Sequence, residues 1–115
     1  MTDPLVETIA SGRCLVARVS GKMDYTTDPL LRPQFKELIA RADRFIVLDL
    51  SGVSLCDSVG LNALIAAWRQ ADAGGAVVVL ACVPPSLRRI LQVTGTDQLL
   101  RVFDTVTDAE AVLGG

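Results

Sequence analysis

The feature that most constrains the fold is the run FIVLDL at residues 45–50, which would be apolar on both faces of a strand. Such a strand is expected inside a sheet that is covered on both sides or flanked by other strands. Soon after it, Leu61, Leu64, Ile65 and Trp68 fall at the i, i+3, i+4 and i+7 positions of an amphipathic helix. Half of the residues are hydrophobic but only five are aromatic, so we expect the aliphatic core of an α/β domain.

The first third of the chain predicts two strands and a helix. The runs LVETIA and RCLVARVS, separated by Ser11-Gly12, indicate a hairpin whose second strand has Leu15, Ala17 and Val19 on one face. The stretch DPLLRPQFKELIARA has apolar residues at helical spacing, and we expect Pro33 to kink the helix or restart it there, leaving a weak first turn.

The second half alternates between strands and helices. The runs AVVVLAC and LLRVF favour strands, PPSLRRILQVTG a helix, and Thr107-x-x-Glu110 has the spacing of a capping box for a last helix. The order β-β-α-β-α-β-α-β-α implies right-handed parallel crossovers. We therefore predict one α/β domain over residues 1–115, with a mixed sheet of four to five strands packed with about four helices.

Composition excludes several classes of function. The net charge is −2 and the arginines are scattered, which argues against nucleic-acid binding. Histidine is absent, so the usual general base and the commonest metal ligand are missing, and we expect no metal and no cofactor. No apolar run is long enough to span a membrane and no signal peptide is evident, so we expect a cytoplasmic protein.

Three cysteines lie too far apart for a CxxC motif. Cys14 and Cys82 sit in apolar, strand-like runs, which favours small buried hydrophobic residues over reactive thiols. Cys56 lies next to the most informative stretch of the chain, CDSVGLN, and its role stays open at this point.

The turn at CDSVGLN joins the apolar strand to the amphipathic helix, and in open α/β sheets such carboxyl-end turns are where ligands and partners bind. Ser58 could be a helix cap, a nucleophile or a hydroxyl that another protein modifies. If Asp57 caps the helix, the Ser58 hydroxyl is surplus to capping. Gly60 then costs the first turn roughly 1 kcal/mol relative to alanine, which suggests that something approaches the backbone closely.

The helix face opposite the apolar stripe carries small or uncharged residues instead of the expected charges. These residues are Val59, Asn62, Ala63, Ala66 and Gln70. A solvated helix rarely has such a face, so we interpret it as a surface that a partner protein can approach closely, beginning beside Ser58.

A nucleophilic role for Ser58 has little support. The G-x-S-x-G pattern is absent, no histidine is available, and neither lysine has a recognisable motif spacing to the serine. Nucleotide-binding patterns such as GxxxxGK[ST] and GxGxxG are also absent. We therefore predict that the chain is not an enzyme.

The segment IVLDLSGVSLCDSVGLNALIAAWRQA resembles the central segment of bacterial anti-sigma factor antagonists of the STAS-domain family. In that family a strand ending in Leu-Asp-Leu leads to Asp-Ser-x-Gly-Leu at a helix start. SGKMDYTTDPLLR resembles the family's Gly-x-Leu-Asp loop, which lies beside the serine. PPSLRRILQVTGTDQLLRVFDTVTDAEAVL resembles its C-terminal helix, strand and helix, so the likeness covers nearly the whole chain.

The resemblance implies a partner-switching protein. The unphosphorylated form would bind an anti-sigma factor that is also a serine kinase, the kinase would modify Ser58, and a serine phosphatase would reverse the modification. Asp24 and Asp57 match the family's acidic residues around the serine, whereas Val59 replaces its usual second hydroxyl residue. We expect this departure to leave the target serine intact and to change which kinase recognises it. The expected partner-binding residues are Asp24, Asp57, Val59, Gly60, Asn62, Ala63 and Ala66. STAS domains also serve as unphosphorylated accessory subunits of ABC-type lipid-transport complexes, which is the alternative function.

Overall fold

The computed structural model describes residues 5–11, 14–41 and 44–113. Its strands are β1 (Leu5–Ser11), β2 (Cys14–Met23), β3 (Phe45–Cys56), β4 (Val77–Ala81) and β5 (Val102–Phe103). Its α-helices are α1 (Asp28–Arg41), α2 (Ser58–Ala73), α3 (Pro85–Thr94) and α4 (Val106–Leu113), and a short 3-10 turn, Thr96–Gln98, precedes β5. The predicted order of strands and helices is confirmed.

The described strands form one mixed sheet in the order β1-β2-β3-β4-β5. β1 pairs with β2 in antiparallel fashion, and β2 through β5 run parallel to one another. The N-terminal hairpin is therefore confirmed, although the predicted turn residue Gly12 lies outside the described residues. At the far end of the β2–β3 ladder, Met23 pairs with Cys56.

The apolar run at the start of β3 is buried on both faces of the sheet. Ile46 and Leu48 join the larger core, which also contains buried residues of α1, α2 and α3. Val47 points to the opposite face and packs in a smaller core with Ala109 of α4. Helices on both faces explain why this strand shows no polar alternation.

Helix α1 is continuous across Pro33, where a kink or restart was expected. Leu31, Phe35 and Leu38 are buried and hold the helix against the sheet and α2. The hydrogen bond that Pro33 removes would have ended on the carbonyl of Pro29. The helix nevertheless continues beyond Pro33 to Arg41.

The cap of the last helix is Thr105, two residues earlier than the predicted cap at Thr107. α4 starts at Val106, and the N–H of Asp108 donates to Oγ1 of Thr105 at 3.0 Å. The predicted capping box from Thr107 to Glu110 is therefore wrong, and Thr107 lies in the first turn of the helix. Thr105 and Thr107 are each followed by an acidic residue three positions later, so the sequence pattern fits either threonine as the cap. In the structure the cap is Thr105, two residues after the end of β5.

Candidate functional site

The candidate site lies at the carboxyl end of the parallel strands, where β3 passes into α2. One residue, Asp57, separates Cys56 at the end of β3 from Ser58 at the start of α2. The N–H of Asp57 donates to the carbonyl of Met23 at 3.1 Å, which ties this turn to the end of β2. The turn of residues 24–27, which follows Met23, consequently borders the same region.

Asp57 is the N-cap of α2, as expected. Its backbone is extended, with φ −99° and ψ −172°, and its Oδ1 accepts hydrogen bonds from the N–H groups of Val59 at 2.9 Å and Gly60 at 3.0 Å. Two of the N–H groups that lack an intrahelical partner are thereby satisfied by one side chain.

Ser58 is the first residue of α2 and is exposed. Its hydroxyl forms no hydrogen bond with any residue of the part of the chain that the structure describes. Asp57 already performs the capping, so the Ser58 hydroxyl is free for an external group to reach, as the sequence suggested.

The close approach that Gly60 suggested is present, and it comes from within the chain. It is buried, and a Cβ atom at this position would lie 2.2 Å from the carbonyl oxygen and 2.8 Å from the Cβ of Met23. The backbone that approaches Gly60 closely is thus that of Met23, within the same chain. Gly60 positions the start of α2 against β2, and because it is buried it offers little surface of its own to the predicted partner.

The small-residue face of α2 is also more buried than expected. Ala63 is 2 % exposed and belongs to the core, as do Ala67 and Ala71, which follow it at intervals of four residues. These short side chains let α2 pack closely against neighbouring α1 and the sheet. Ala63 is thus a packing residue between the helices, more deeply buried than the sequence predicted.

The part of the small-residue face of α2 that stays accessible to solvent is smaller than the sequence predicted, and it begins next to Ser58. Asn62 and Gln70 are exposed, and Val59 and Ala66 are half-buried. On the opposite side, Leu61 and Leu64 are buried and Ile65 and Trp68 partly buried, in agreement with the apolar stripe read from the sequence.

Asp24 organises the turn beside the site. Its carboxylate accepts hydrogen bonds from the Thr26 hydroxyl and from the N–H groups of Thr26 at 3.0 Å and Thr27 at 3.1 Å. Chiefly because of the Thr26 hydroxyl, the pKa of Asp24 lies below its ordinary value. Asp24 is therefore a fixed negative charge at neutral pH, in a turn that leads into α1.

The acidic groups of the site lack a cationic partner among the described residues. The ion pairs found there join Arg32 to Asp28 at 2.9 Å and Arg88 to Asp104 at 3.0 Å. Neither pair includes Asp24 or Asp57, whose carboxylates are instead held by hydrogen-bond donors. A second negative group placed at Ser58 would therefore meet local charge of the same sign.

Cys56, whose role the sequence left open, is not an activated thiol. Burial, and secondarily the negative charge of Asp57, raise the pKa of the Cys56 thiol to about 11. The thiolate is the nucleophilic form of cysteine, and it is essentially absent at neutral pH when the pKa is this high. Cys56 thus acts as a small, mostly apolar residue beneath the turn.

Two exposed apolar side chains near the site were missed in the sequence. Tyr25, in the turn after Asp24, is 72 % exposed, and Leu55, one residue before Cys56, is 50 % exposed. β4 pairs only with the Phe45–Asp49 part of β3, so the second half of β3 has β2 as its paired neighbour. The β-rich pattern around Leu55 could have indicated a strand, but not that it extends past its neighbour.

The fold and the site together define a small α/β domain that displays a serine at a helix start beside exposed apolar side chains. A family model, the STAS domain, matches residues 6–109. The chain therefore belongs to the STAS-domain family.

Relatives within this family are similar over most of the chain. The anti-sigma-F factor antagonist RsfB of Mycobacterium tuberculosis is 30% identical, over 98% of this chain and 93% of that protein. An anti-sigma F factor antagonist of Paenibacillus polymyxa is 28% identical, over 83% of this chain and 82% of that protein. The crystal structure of an anti-sigma factor antagonist from Mycobacterium paratuberculosis superposes with a TM-score of 0.84 at 28% identity, covering 96% of this chain and 94% of that one.

Within residues 5–11, 14–41 and 44–113, every helix is too short or too polar to cross a membrane.

Proposed function

We propose that this chain is an anti-sigma factor antagonist that acts by binding and is switched off by phosphorylation of Ser58. In the unphosphorylated state it binds an anti-sigma factor that is also a serine kinase, so that a sigma factor becomes free to direct transcription. The kinase modifies Ser58 and a serine phosphatase restores it. The observation that carries the proposal is the exposed Ser58 hydroxyl, which Asp57 leaves free by capping α2 itself. The names of the relatives support the class of partner.

The surroundings of Ser58 favour a protein partner over a small substrate. Tyr25 and Leu55 expose apolar area in the segments that lead to the turn, and half-buried Val59 and exposed Asn62 lie along α2 after it. Exposed aromatic side chains at the centre of a contact region commonly carry much of the binding energy. We therefore propose a partner surface formed by Asp24, Tyr25, Leu55, Ser58 and the open positions of α2.

Phosphorylation at this position should spare the fold. A phosphate adds about −1.5 to −2 charges at pH 7, and at the first residue of a helix the macrodipole favours negative charge. Repulsion from Asp57 opposes this effect, and because Ser58 is exposed, water screens both. The two contributions roughly offset each other, so the modified chain stays folded.

The docked partner responds differently. A partner surface that is matched to a neutral hydroxyl must desolvate and accommodate a dianion at Ser58. Asp57 and Asp24 lie nearby, and neither ion pair of the described residues places a cation beside them that could neutralise the phosphate. Mismatched charge at an interface costs several kcal/mol, and each ~1.4 kcal/mol is tenfold in affinity. Phosphorylation is therefore expected to weaken the complex roughly a hundredfold or more.

Val59 follows Ser58 at the position where the family usually has a second hydroxyl residue. The residue after the target serine is half-buried and apolar, so it cannot be a second acceptor of phosphate. We infer that modification is confined to one hydroxyl in this turn, and that the cognate kinase accepts a branched apolar side chain next to it.

The test is phosphorylation by a purified kinase-type anti-sigma factor from the same genome, with ATP and magnesium, read by mass spectrometry. One phosphate is expected on Ser58, and none on the Ser58→Ala variant. Ser86→Ala is the matched control, because Ser86 is also exposed in the first turn of a helix. Modification at another residue would contradict the proposal. A persistently unmodified Ser58, with an ABC ATPase as the co-purifying partner, would support the transport-subunit alternative.

A further inference from the structure

A groove separates the outer edges of α1 and α2 and is distinct from the turn at Ser58. Its volume is about 400 Å³. Its floor is apolar and its rim polar, and we call it the α1–α2 groove; it is lined by Arg32, Pro33, Phe35, Lys36, Ala63, Ala66, Ala67 and Gln70.

The groove follows from the choice of residues on the two helices. Ala63 and Ala67 are buried and let the helices approach each other at their base. Farther out, half-buried Ala66 and the exposed ring of Pro33 are too short to close the gap between the helices. Apolar surface of Pro33 and Ala66 therefore stays accessible above these buried residues, which in a protein surface is a feature of binding sites.

The rim of the groove is positively charged although the whole chain carries a net charge of −2. Arg32 and Lys36 are one turn apart on α1. Arg32 is bound through its Nε to Asp28, whereas exposed Lys36 takes part in neither ion pair found among the described residues. An apolar floor beside an uncompensated cation is complementary to an apolar side chain that is flanked by a carboxylate.

The position of the groove indicates which molecule presents such a segment. Ala66 lies eight residues after Ser58 on α2, which is about 12 Å along the helix axis. A stable protein interface buries about 800 Å² on each partner, a patch roughly 30 Å across. A protein that docks centrally on Ser58 therefore covers the groove as well.

We propose that the anti-sigma factor bound at Ser58 also inserts an apolar side chain, flanked by a carboxylate, into the α1–α2 groove. This inference rests on the proposed function and adds a second contact region to it. Because the groove lies a turn or more from the phosphate, its contribution persists after phosphorylation. The groove acts as an anchor, and Ser58 acts as the switch.

The experiment measures the dissociation constant of the purified anti-sigma factor used in the Ser58 test by isothermal titration calorimetry. Lys36→Glu reverses the charge on the rim, and Ala66→Leu fills the groove. Each is expected to weaken binding about tenfold, and Lys36→Glu should also make the affinity less dependent on salt. Arg89→Glu and Ala73→Leu are the matched controls, since both residues are exposed and lie outside the groove, and their affinities should stay within twofold of wild type.

Thermal melts of all four variants establish that each is folded before its affinity is compared. Wild-type affinity of both groove variants would overturn the groove proposal, even if Ser58→Asp weakens the complex as expected. If instead Ser58→Asp binds as tightly as wild type, the switching function itself fails. If the unmodified wild-type chain forms no complex with the anti-sigma factor, both proposals are overturned.

Discussion

A Cβ atom on Gly60 would lie 2.2 Å from the carbonyl oxygen of Met23, closer than any side chain can be. The same carbonyl accepts the N–H of Asp57 at 3.1 Å. One peptide group at the end of β2 therefore positions both the cap and the first turn of α2, and through them the displayed Ser58.

Gly60→Ala should consequently destabilise the domain although alanine is the better helix former. The methyl group meets backbone, which cannot rotate away, so the start of α2 must shift. We expect a loss of about 1–3 kcal/mol in the free energy of unfolding, the range typical of overpacking. Urea denaturation measures it.

Gly74→Ala is the control for this substitution. A Cβ atom at Gly74 would be 3.7 Å from the backbone oxygen of Ala71, an ordinary contact, and the φ of −95° at Gly74 suits any residue. Its free energy of unfolding should stay within about 0.5 kcal/mol of wild type, as for most surface substitutions. Equal stability of the two alanine variants would contradict the packing argument.

The order of elements and the cap on α2 could be predicted because they depend on local patterns. Apolar residues at helical spacing place Leu61 and Leu64 in the core whatever the rest of the chain does. An aspartate between an apolar strand and a helix has few alternatives to capping.

The groups against which Gly60 and Ala63 pack could not be predicted from the sequence. A glycine in a first turn indicates a close approach, but the approaching group, Met23, lies 37 residues earlier in the chain. A face of alanines fits a packed helix as well as a partner surface, and the choice depends on where α1 lies. Tyr25 and Leu55 were missed for a similar reason, since their exposure follows from the unequal lengths of neighbouring strands.

Ser58→Asp should weaken the complex with the anti-sigma factor by at least about tenfold and leave the melting temperature nearly unchanged. The added carboxylate is favoured by the helix start, by about 0.3–1 kcal/mol, and disfavoured by adjacent Asp57. Calorimetric titration and a thermal melt give the two quantities. Ser86→Asp, at the start of α3, is the control for adding an acid to a helix start. If Ser58→Asp and wild type bind equally, the electrostatic account of the switch is wrong.

Asp57→Asn separates the capping role of Asp57 from the effect of its negative charge on Cys56. Asparagine caps helices about as well as aspartate, so the free energy of unfolding should change by less than about 0.5 kcal/mol, whereas Asp57→Ala should cost about 1 kcal/mol. The asparagine variant also removes the charge that helps to raise the pKa of Cys56. The thiol of Cys56 should therefore titrate at lower pH in Asp57→Asn than in wild type, which the thiolate absorbance near 240 nm can follow.

The raised pKa of Cys56 makes the domain less stable in alkali. Between the ordinary thiol value of 9.0 and about 11, the unfolded chain releases a proton that the folded chain retains. The unfolded state is thereby favoured, so this contribution to the free energy of unfolding is intact below pH 9 and falls as the pH rises toward 11. Urea denaturation at pH 7 to 11 should show a steeper decline for wild type than for Cys56→Ala. Parallel curves would show that Cys56 is not the group responsible.

Tyr25→Ala and Leu55→Ala should weaken partner binding without destabilising the fold. Both side chains are at least half exposed, so their removal leaves no cavity in the core. An anchor residue at the centre of an interface costs more than about 2 kcal/mol when truncated, which corresponds to roughly thirtyfold in affinity. Val93→Ala is the matched control, because Val93 is 79 % exposed on α3, outside the proposed partner surface. A loss of affinity in Val93→Ala, with none in Tyr25→Ala or Leu55→Ala, would place the interface on α3 instead of around Ser58.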